Sequence, residues 1–508
     1  MRRAARAAPS WLAFVMPLAV YGISLAPGVA LWDTGEMQTV PYILGVAHPT
    51  GFPLFVITGW IFSHLVAIGN VAWRLSLMSA VAMAVACRCV FGIVRAQRGS
   101  AGAALGAALI FAAGNVAWTR GSRAEVHAFA TMFAGLTLLA LVRYASEPVA
   151  PRLFALVVAF GLGVATHPIG VLLAPAVLLV VIARRRTVSL RTAGTALALL
   201  AACGGLYLSI PVLSAINFAQ HRDPTLALGL PPGQPFFDYD HASTWSGFAN
   251  EVAGHEYDPG SAVGALATPG LWNAVASRYL PATIAEFGVL VCVVALFGFV
   301  VRVRGDPLLG VAFVLAAGAA LLFVFGFGEA DEPRYYLTSY LVIATYAGTG
   351  FETLVRGFLQ REDVRSAAAT LAVCLGFTAP LVFQNEHIVP DQRNDDYARQ
   401  YVDAVIARTP DDAVLVVYWV YATPIAYAAY VEHRLGHRVL VPQLASVVAT
   451  EIPRWLCSGR PVYFNGAQYT RFDDRLGLDT TVMDADLDFA RATLRPTGAK
   501  SCERPFGP

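Results

Sequence analysis

Residues 51–68 read Gly51-Phe52-Pro53-Leu54-Phe55-Val56-Ile57-Thr58-Gly59-Trp60-Ile61-Phe62-Ser63-His64-Leu65-Val66-Ala67-Ile68. The run is apolar and nearly as long as the ~20 residues that cross a hydrocarbon core. Whether it crosses decides the sidedness of every segment after it. The chain around it reads as membrane-embedded in either case. Of its 508 residues 56% are hydrophobic and 14% charged, with a mean hydropathy of +0.57, whereas a soluble domain carries about 25% charged residues. Apolar runs recur at 11–28, 73–95, 101–118, 124–144, 153–167, 169–183, 192–213, 284–303, 308–327, 336–355 and 366–384, which makes eleven expected spans.

The arginines decide the status of 51–68. With that segment lying in the membrane interface, one side collects Arg2, Arg3 and Arg6, Arg95 and Arg98, Arg143 and Arg152, Arg184 to Arg186 with Arg191, Arg302 and Arg304, and Arg356, Arg361 and Arg365. With it across the membrane, every cluster after the first moves to the opposite side. Cytoplasmic connections carry the excess of Lys and Arg, so 51–68 is expected in the interface. The N-terminus is then cytoplasmic and everything after residue 385 external. Arg2 and Arg3 before an apolar run also describe a secretory leader, but an acidic motif follows at once and the remaining topology needs 11–28 as a span. The net charge of +2 implies no nucleic-acid partner. Of the seven cysteines, Cys87, Cys89, Cys203, Cys292 and Cys374 fall in apolar runs and read as small core residues. Cys457 and Cys502 fall in the external C-terminal region, where a disulfide is allowed but not required. No Cys/His spacing of metal-site type occurs.

The chain divides into a helical membrane domain over 1–385, with external loops at 29–72 and 214–283, and an external α/β domain over 386–508. The second loop holds Pro224, Pro231, Pro232, Pro235 and Pro259 together with Trp245, Phe248 and Tyr257. Such a segment is ordered by packing rather than by one long helix. After 385 the pattern changes to an amphipathic helix at 395–408, a strand at 414–418, a helix at 423–434, a strand at 437–441, a helix near 446–456 and a strand at 461–464. Strands alternating with helices predict a small parallel sheet. It has no glycine-rich phosphate loop, so a binding or positioning role fits it better than catalysis.

This topology gathers the polar groups on the external side. They are Asp33-Thr34-Gly35-Glu36, then Ala47-His48-Pro49-Thr50-Gly51-Phe52-Pro53, then Arg120, Arg123, Glu125 and His127, then His167-Pro168, and finally Glu329, Asp331, Glu332, Arg334, Tyr335 and Tyr336. Ionisable groups at membrane depth are costly and point to function. Each also has a plainer reading. Asp33 and Glu36 suit a helix start; Arg120 and Arg123 suit interfacial anchors. His167 suits a satisfied turn histidine, and Asp331, Glu332 and Arg334 suit a solvated turn with weak ion pairs.

The order of these motifs, with Trp73-Arg74-Leu75-Ser76 opening the next span, resembles membrane glycosyltransferases of the GT-C type. More closely, it resembles the protein O-mannosyltransferase family that includes transmembrane protein 260 and bacterial relatives. The match rests on Asp33-Thr34-Gly35-Glu36, on Gly45 through Leu54, on Arg123-Ala124-Glu125-Val126-His127, on Thr166-His167-Pro168 and on Ser243-Thr244-Trp245-Ser246-Gly247-Phe248. Asp331 through Tyr340 adds a weaker match, and the resemblance covers about 10–355. Thr34, Thr50 and Phe52 are mild departures. The long loop carries Phe237-Asp238-Tyr239-Asp240-His241 where a Trp-Gly-Asp run would stand, which leaves the acceptor and the sugar open.

The resemblance implies an all-α GT-C-like membrane body, a polyprenyl-phosphate sugar donor (mannose or another hexose) and one inverting displacement at the anomeric carbon. It also implies a bacterial plasma membrane as the site of residence. Such chemistry needs a general base at the acceptor hydroxyl and cationic or hydrogen-bonding groups on the departing phosphate. Asp33 is the expected base; Glu36, one turn on, shares that role or orients the acceptor. Arg120, Arg123 or Arg334 is expected to hold the phosphate, with His48, Glu125, His127 and His167 lining the donor site. Asp238, Asp240, His241, Trp245, Asp331 and Tyr335 are expected at acceptor or loop contacts. The acceptor is a protein, a glycan or a lipid hydroxyl. A divalent cation is compatible with two carboxylates, although no spacing demands one. Segment 51–68 would let the prenyl tail approach from the bilayer. Two rival readings are a transporter or flippase of a lipid-linked sugar and a non-catalytic protein that binds one. Transporters favour midplane ionisable groups and internal repeats, whereas the acidic motif here lies at a span end and no clear repeat is found.

Overall fold

A computed structural model describes residues 2–254, 273–327, 331–385, 390–442, 446–465, 478–484, 489–495 and Cys502. Tyr257, Pro259 and Glu329 lie outside the described residues. Helices dominate. The N-terminal half runs α1 (Arg2–Ile23), α2 (Trp32–Ile43), α3 (Pro53–Leu65), α4 (Val71–Ala96), α5 (Ala101–Ala113), α6 (Asn115–Gly121), α7 (Val126–Ser146), α8 (Ala150–Thr166) and α9 (Ala174–Ala183). It continues through α10 (Leu190–Gly204), α11 (Ser209–Ala219), α12 (Trp245–Ala253), α13 (Leu280–Phe287), α14 (Val289–Gly305), α15 (Pro307–Phe327), α16 (Leu337–Leu359) and α17 (Val364–Asn385).

Among the described residues four helices are long and apolar enough to cross a membrane, or six when each of two bent pairs is taken as one span. The remaining apolar helices are 10–17 residues long. Several differ from the simple spans expected. The run 101–118 breaks at Gly114 into α5 and α6, bent by 73°, and the run entering α14 bends by 100° at Gly288. Residues 190–219 form one 30-residue stretch through α10 and α11, so the long loop begins later than expected. Segment 51–68 forms only the 13-residue α3. At 1.5 Å per residue that is ~20 Å, short of a ~30 Å hydrocarbon core.

Arg74 ties the end of α3 to the loop that follows. Its guanidinium donates to the Ser63 carbonyl (3.0 Å), one of those an α-helix end leaves open, and to the carbonyls of Ile68 (3.2 Å) and Gly69 (2.9 Å) in the loop. Asn70 then caps α4 by accepting from the Trp73 N–H at 2.8 Å. Small residues line the contacts at the centre of the bundle. Ala82 and Ala86 on α4 and Ala103 and Ala107 on α5 are at most 1% exposed, and side chains of this size let helix backbones approach closely.

The C-terminal unit contains α18 (Pro390–Asn394), α19 (Tyr397–Arg408), β1 (Val414–Val416), α20 (Trp419–Tyr430), β2 (Val439–Val441), α21 (Ser446–Cys457), β3 (Val462–Asn465), β4 (Leu478–Asp484) and β5 (Phe489–Leu494). The sheet order is β2-β1-β3-β5-β4. The first three strands are parallel, as expected, with Val414 opposite both Val439 and Val462. The expectation of an all-parallel sheet is corrected by β5 and β4, which add antiparallel. The polar Asp479-Thr480-Thr481 stretch of β4 hid that strand from a hydrophobic-run reading. Cys457 and Cys502 form a disulfide. The helix expected at 423–434 starts four residues earlier, at Trp419, and packs on α2, so this unit lies directly against the acidic motif.

Candidate active site

Three glycines and a glutamine set the frame. Gln38 on α2 accepts from the Ala30 N–H at 2.9 Å and donates to the Gly28 carbonyl and to Ser76, which fixes the chain entering the helix. A Cβ at Gly35 would lie 2.5 Å from the Ala30 carbonyl and 2.8 Å from the Thr423 hydroxyl, so the glycine of the acidic motif is what admits α20. A Cβ at Gly45 would lie 1.9 Å from the Phe236 carbonyl, so the long loop also closes on this segment. Gly51 (φ +76°) and Phe52 (φ +43°) are both left-handed. That conformation costs a non-glycine residue free energy and is retained where surrounding structure holds it.

Asp33 and Glu36, one turn apart, have different environments. Glu36 is fully buried; its Oε1 accepts from the His48 N–H at 2.8 Å and its Oε2 contacts His48 Nδ1. Burial opposes a charge on His48, but the Glu36 carboxylate outweighs it and pushes the imidazole up to about 9. Asp33 is half-buried. Its Oδ1 accepts from the Trp419 indole N–H at 2.9 Å and its Oδ2 faces Arg334 Nη1 at 3.3 Å. Burial raises its carboxyl, yet His48, the indole and Arg334 together hold it below the usual carboxylate range. Asp33 is therefore ionised at neutral pH and its side chain remains 35% exposed.

A second cluster adjoins. Glu125 caps α7 and accepts from His127 Nδ1 at 2.8 Å and from Arg120 Nη1 at 3.0 Å; its own N–H donates to Ser79 at 2.9 Å. Arg120, at the end of the short α6, also contacts Asp331. Arg123 stands further off, at 3.8 Å from Glu125 and 3.9 Å from Asp331, and is 27% exposed. Arg334 sits in a 3-10 turn, Glu332–Tyr336, that Glu332 anchors through Arg278 and the Tyr336 hydroxyl. Burial works against its charge, but Tyr335, Glu125, Asp33 and Asp331 hold the guanidinium above its ordinary range.

Rings join the two clusters. His48 meets Phe52 edge-on at 5.0 Å, Phe52 stacks on His167 at 5.2 Å, His167 lies 4.9 Å from His127, and His127 meets Tyr335 edge-on at 4.9 Å. His167 Nδ1 accepts from the Ile169 N–H, so the plainer turn role also holds for it. His127 Nε2 is buried with no hydrogen-bond partner among the described residues. His127 lines a small cavity with Arg334, Tyr335, Ala134, Ile169 and Leu173.

Nearly all the residues expected at the base and donor positions thus meet in one site, joined by Asp331 and Tyr335. The loop group sits apart in its own bonding. Asp238 is enclosed by the Ser214 hydroxyl and His241 Nδ1, Asp240 takes a left-handed φ of +58°, and the Trp245 ring is 82% exposed. Among the described residues no group of three or more His, Cys, Asp or Glu side chains converges to hold a metal ion. Trp419 was not legible in the sequence, since it lies 386 residues from Asp33 in an apolar stretch with no motif around it.

A helical membrane body broken near its polar site, with α20 of a small mixed-sheet unit packed on that site, has a GT-C-like fold. The fold is shared with ArnT from Cupriavidus metallidurans in the apo state, at a TM-score of 0.60 and 13% identity over 98% of this chain and 100% of that one. It is shared also with the same protein bound to undecaprenyl phosphate, at a TM-score of 0.56 and 13% identity over 97% and 98%.

The sequence relationship lies elsewhere. Residues 33–190 match the model of the protein O-mannosyl-transferase TMEM260 N-terminal domain. The chain is 26% identical over 433 residues to protein O-mannosyl-transferase TMEM260 of Mus musculus, covering 80% of this chain and 58% of that protein. It is 30% identical over 135 residues to protein O-mannosyl-transferase tmem260 of Dictyostelium discoideum, covering 26% and 16%. The family resemblance read from the motifs holds, while the chain spans little more than half the length of the mouse relative.

Proposed function

We propose that this protein is an inverting GT-C glycosyltransferase that moves a hexose from a polyprenyl-phosphate donor to an acceptor hydroxyl on the extracytoplasmic face. The observation that carries the reading is Asp33. It is an ionised carboxylate held by Trp419 and Arg334 whose side chain stays 35% exposed, whereas Glu36 and Glu125 are buried. The named relatives are protein O-mannosyl-transferases, which favours mannose and a Ser or Thr hydroxyl. The side pattern of arginines supports the external placement.

Asp33 takes the proton of the acceptor hydroxyl as its oxygen bonds to the anomeric carbon and the bond from that carbon to the phosphate oxygen breaks. Charge grows on the leaving phosphate, and preorganised donors lower the barrier there. Arg123 fits this task best, because Arg120 is held by a close pair on each side and Arg334 faces Asp33, whereas Arg123 has only distant pairs. His127 lines a small cavity together with Arg334. Glu36 orients His48 rather than acting as base, since it is fully buried.

The test is transfer by the detergent-solubilised chain from a panel of undecaprenyl-phosphate hexoses (mannose, glucose, galactose) to a Ser/Thr peptide. Asp33→Asn is expected to lower kcat by about 10²- to 10⁴-fold, the usual contribution of a general base, while undecaprenyl phosphate binding persists. Wild-type turnover in Asp33→Asn removes Asp33 from the role. No turnover of any donor by the wild type removes the proposal.

A further inference from the structure

Asp33 is not held by the membrane helices alone. Its Oδ1 accepts from Trp419, the first residue of α20 in the C-terminal unit. The indole lies parallel to Phe236 of the long loop (centroids 5.6 Å apart, 8° between planes), and its edge meets His48 at 6.2 Å. Phe236 is fully buried and its carbonyl closes on Gly45. Deeper along α20, Thr423 abuts Gly35, and the Tyr427 hydroxyl accepts from the Ala72 N–H at 3.0 Å. One polar atom of the C-terminal unit therefore reaches the carboxylate, and two separate contacts fix the helix that carries it.

We propose that Trp419 is a positioning residue for Asp33: its indole N–H, clamped by Phe236, holds the carboxylate in the rotamer that faces Arg334, so that the C-terminal unit and the long loop complete a site begun by the membrane helices. This rests on Asp33 being the general base. A hydrogen bond to an ionised acceptor is among the stronger ones and is directional, and an indole N–H that is largely enclosed takes such a partner. With one oxygen of Asp33 on Trp419 and the other on Arg334, rotation about the side chain breaks both contacts. The restraint matters because a base must lie within hydrogen-bond reach of the proton it removes.

The experiment compares wild type, Trp419→Phe, Phe236→Leu and Asp33→Asn in kcat, donor KM and the pH profile of kcat/KM, using whichever undecaprenyl-phosphate hexose the wild type turns over. The charged groups facing Asp33 are Glu36 on its own helix, His48 on the following loop, Glu125 before α7 and Arg334 before α16, and all four stay in place in Trp419→Phe. Trp419→Phe keeps the stacking ring and loses only the N–H, which favours the ionised carboxylate. Its acid limb is expected at higher pH, with kcat down about tenfold or more and donor KM within about twofold. Phe236→Leu is expected to move the limb the same way by less. If Trp419→Phe keeps the wild-type kcat and acid limb while Asp33→Asn is inactive, the inference falls and the base assignment stands. If Asp33→Asn is itself active, the assignment beneath it falls. Should Trp419→Phe lose its cooperative melt, Phe236→Leu decides: a raised acid limb supports the role and an unmoved one overturns it.

Discussion

Replacing Glu36 with glutamine keeps the acceptor for the His48 N–H and removes the charge beside the imidazole. In the wild type that charge lifts His48 to about 9, against 6.5 for a free imidazole. At about 1.4 kcal/mol per pKa unit, the His48 shift alone corresponds to on the order of 3 kcal/mol, part of which is offset because burial raises the Glu36 carboxyl. The sign follows from linkage. A group whose folded pKa is raised stabilises fully below its unfolded value, near 6.5, and loses that contribution as pH rises through about 9. His48 is 15% exposed on its side chain and Glu36 fully buried, so screening removes little of it. The assay is thermal unfolding of the solubilised protein, followed by tryptophan fluorescence from pH 6 to pH 10. Glu36→Gln is expected to melt well below wild type at pH 6–7, with the gap narrowing between pH 8 and 10. A gap of the same size at pH 6 and pH 10, or none at pH 6, would refute the pairing of a cationic His48 with an ionised Glu36.

Arg120→Met strips a buried carboxylate of its close partner and should cost about 3–5 kcal/mol by the usual penalty for breaking a buried pair, read as a lowered unfolding midpoint. Arg123→Ala, whose ion pairs are long and partly exposed, should leave that midpoint nearly unchanged and weaken undecaprenyl phosphate binding about tenfold or more; an effect on stability alone would assign Arg123 to the scaffold. Gly45→Ala drives a methyl into the Phe236 carbonyl and should cost about 1–3 kcal/mol, as overpacking does, with a fall in kcat because Phe236 clamps Trp419.

Membrane embedding was legible from residue types, because burial in lipid needs long apolar runs whatever the tertiary arrangement. The polar residues of the candidate site stood out because ionisable groups in such a chain are few, and most of those singled out lie together in the fold. The breaks at Gly114 and Gly288 were not: an apolar run looks the same whether its helix is straight or bent, and it is α6, beyond the first break, that delivers Arg120 to Glu125. Nor could spacing separate the two acidic residues of the motif. Glu36 turns into the bundle against His48, whereas Asp33 faces the opening.

The sequence by itself determined that this is a membrane protein, where its polar motifs lie along the chain, and which family they resemble. These are properties of composition and local order. Only the tertiary structure decided which carboxylate of the motif is buried, which arginines are closely paired, and that Trp419, 386 residues away, grips Asp33. Those outcomes depend on distances between elements remote in sequence, and an indole in an apolar stretch shows no partner until the chain has folded around it.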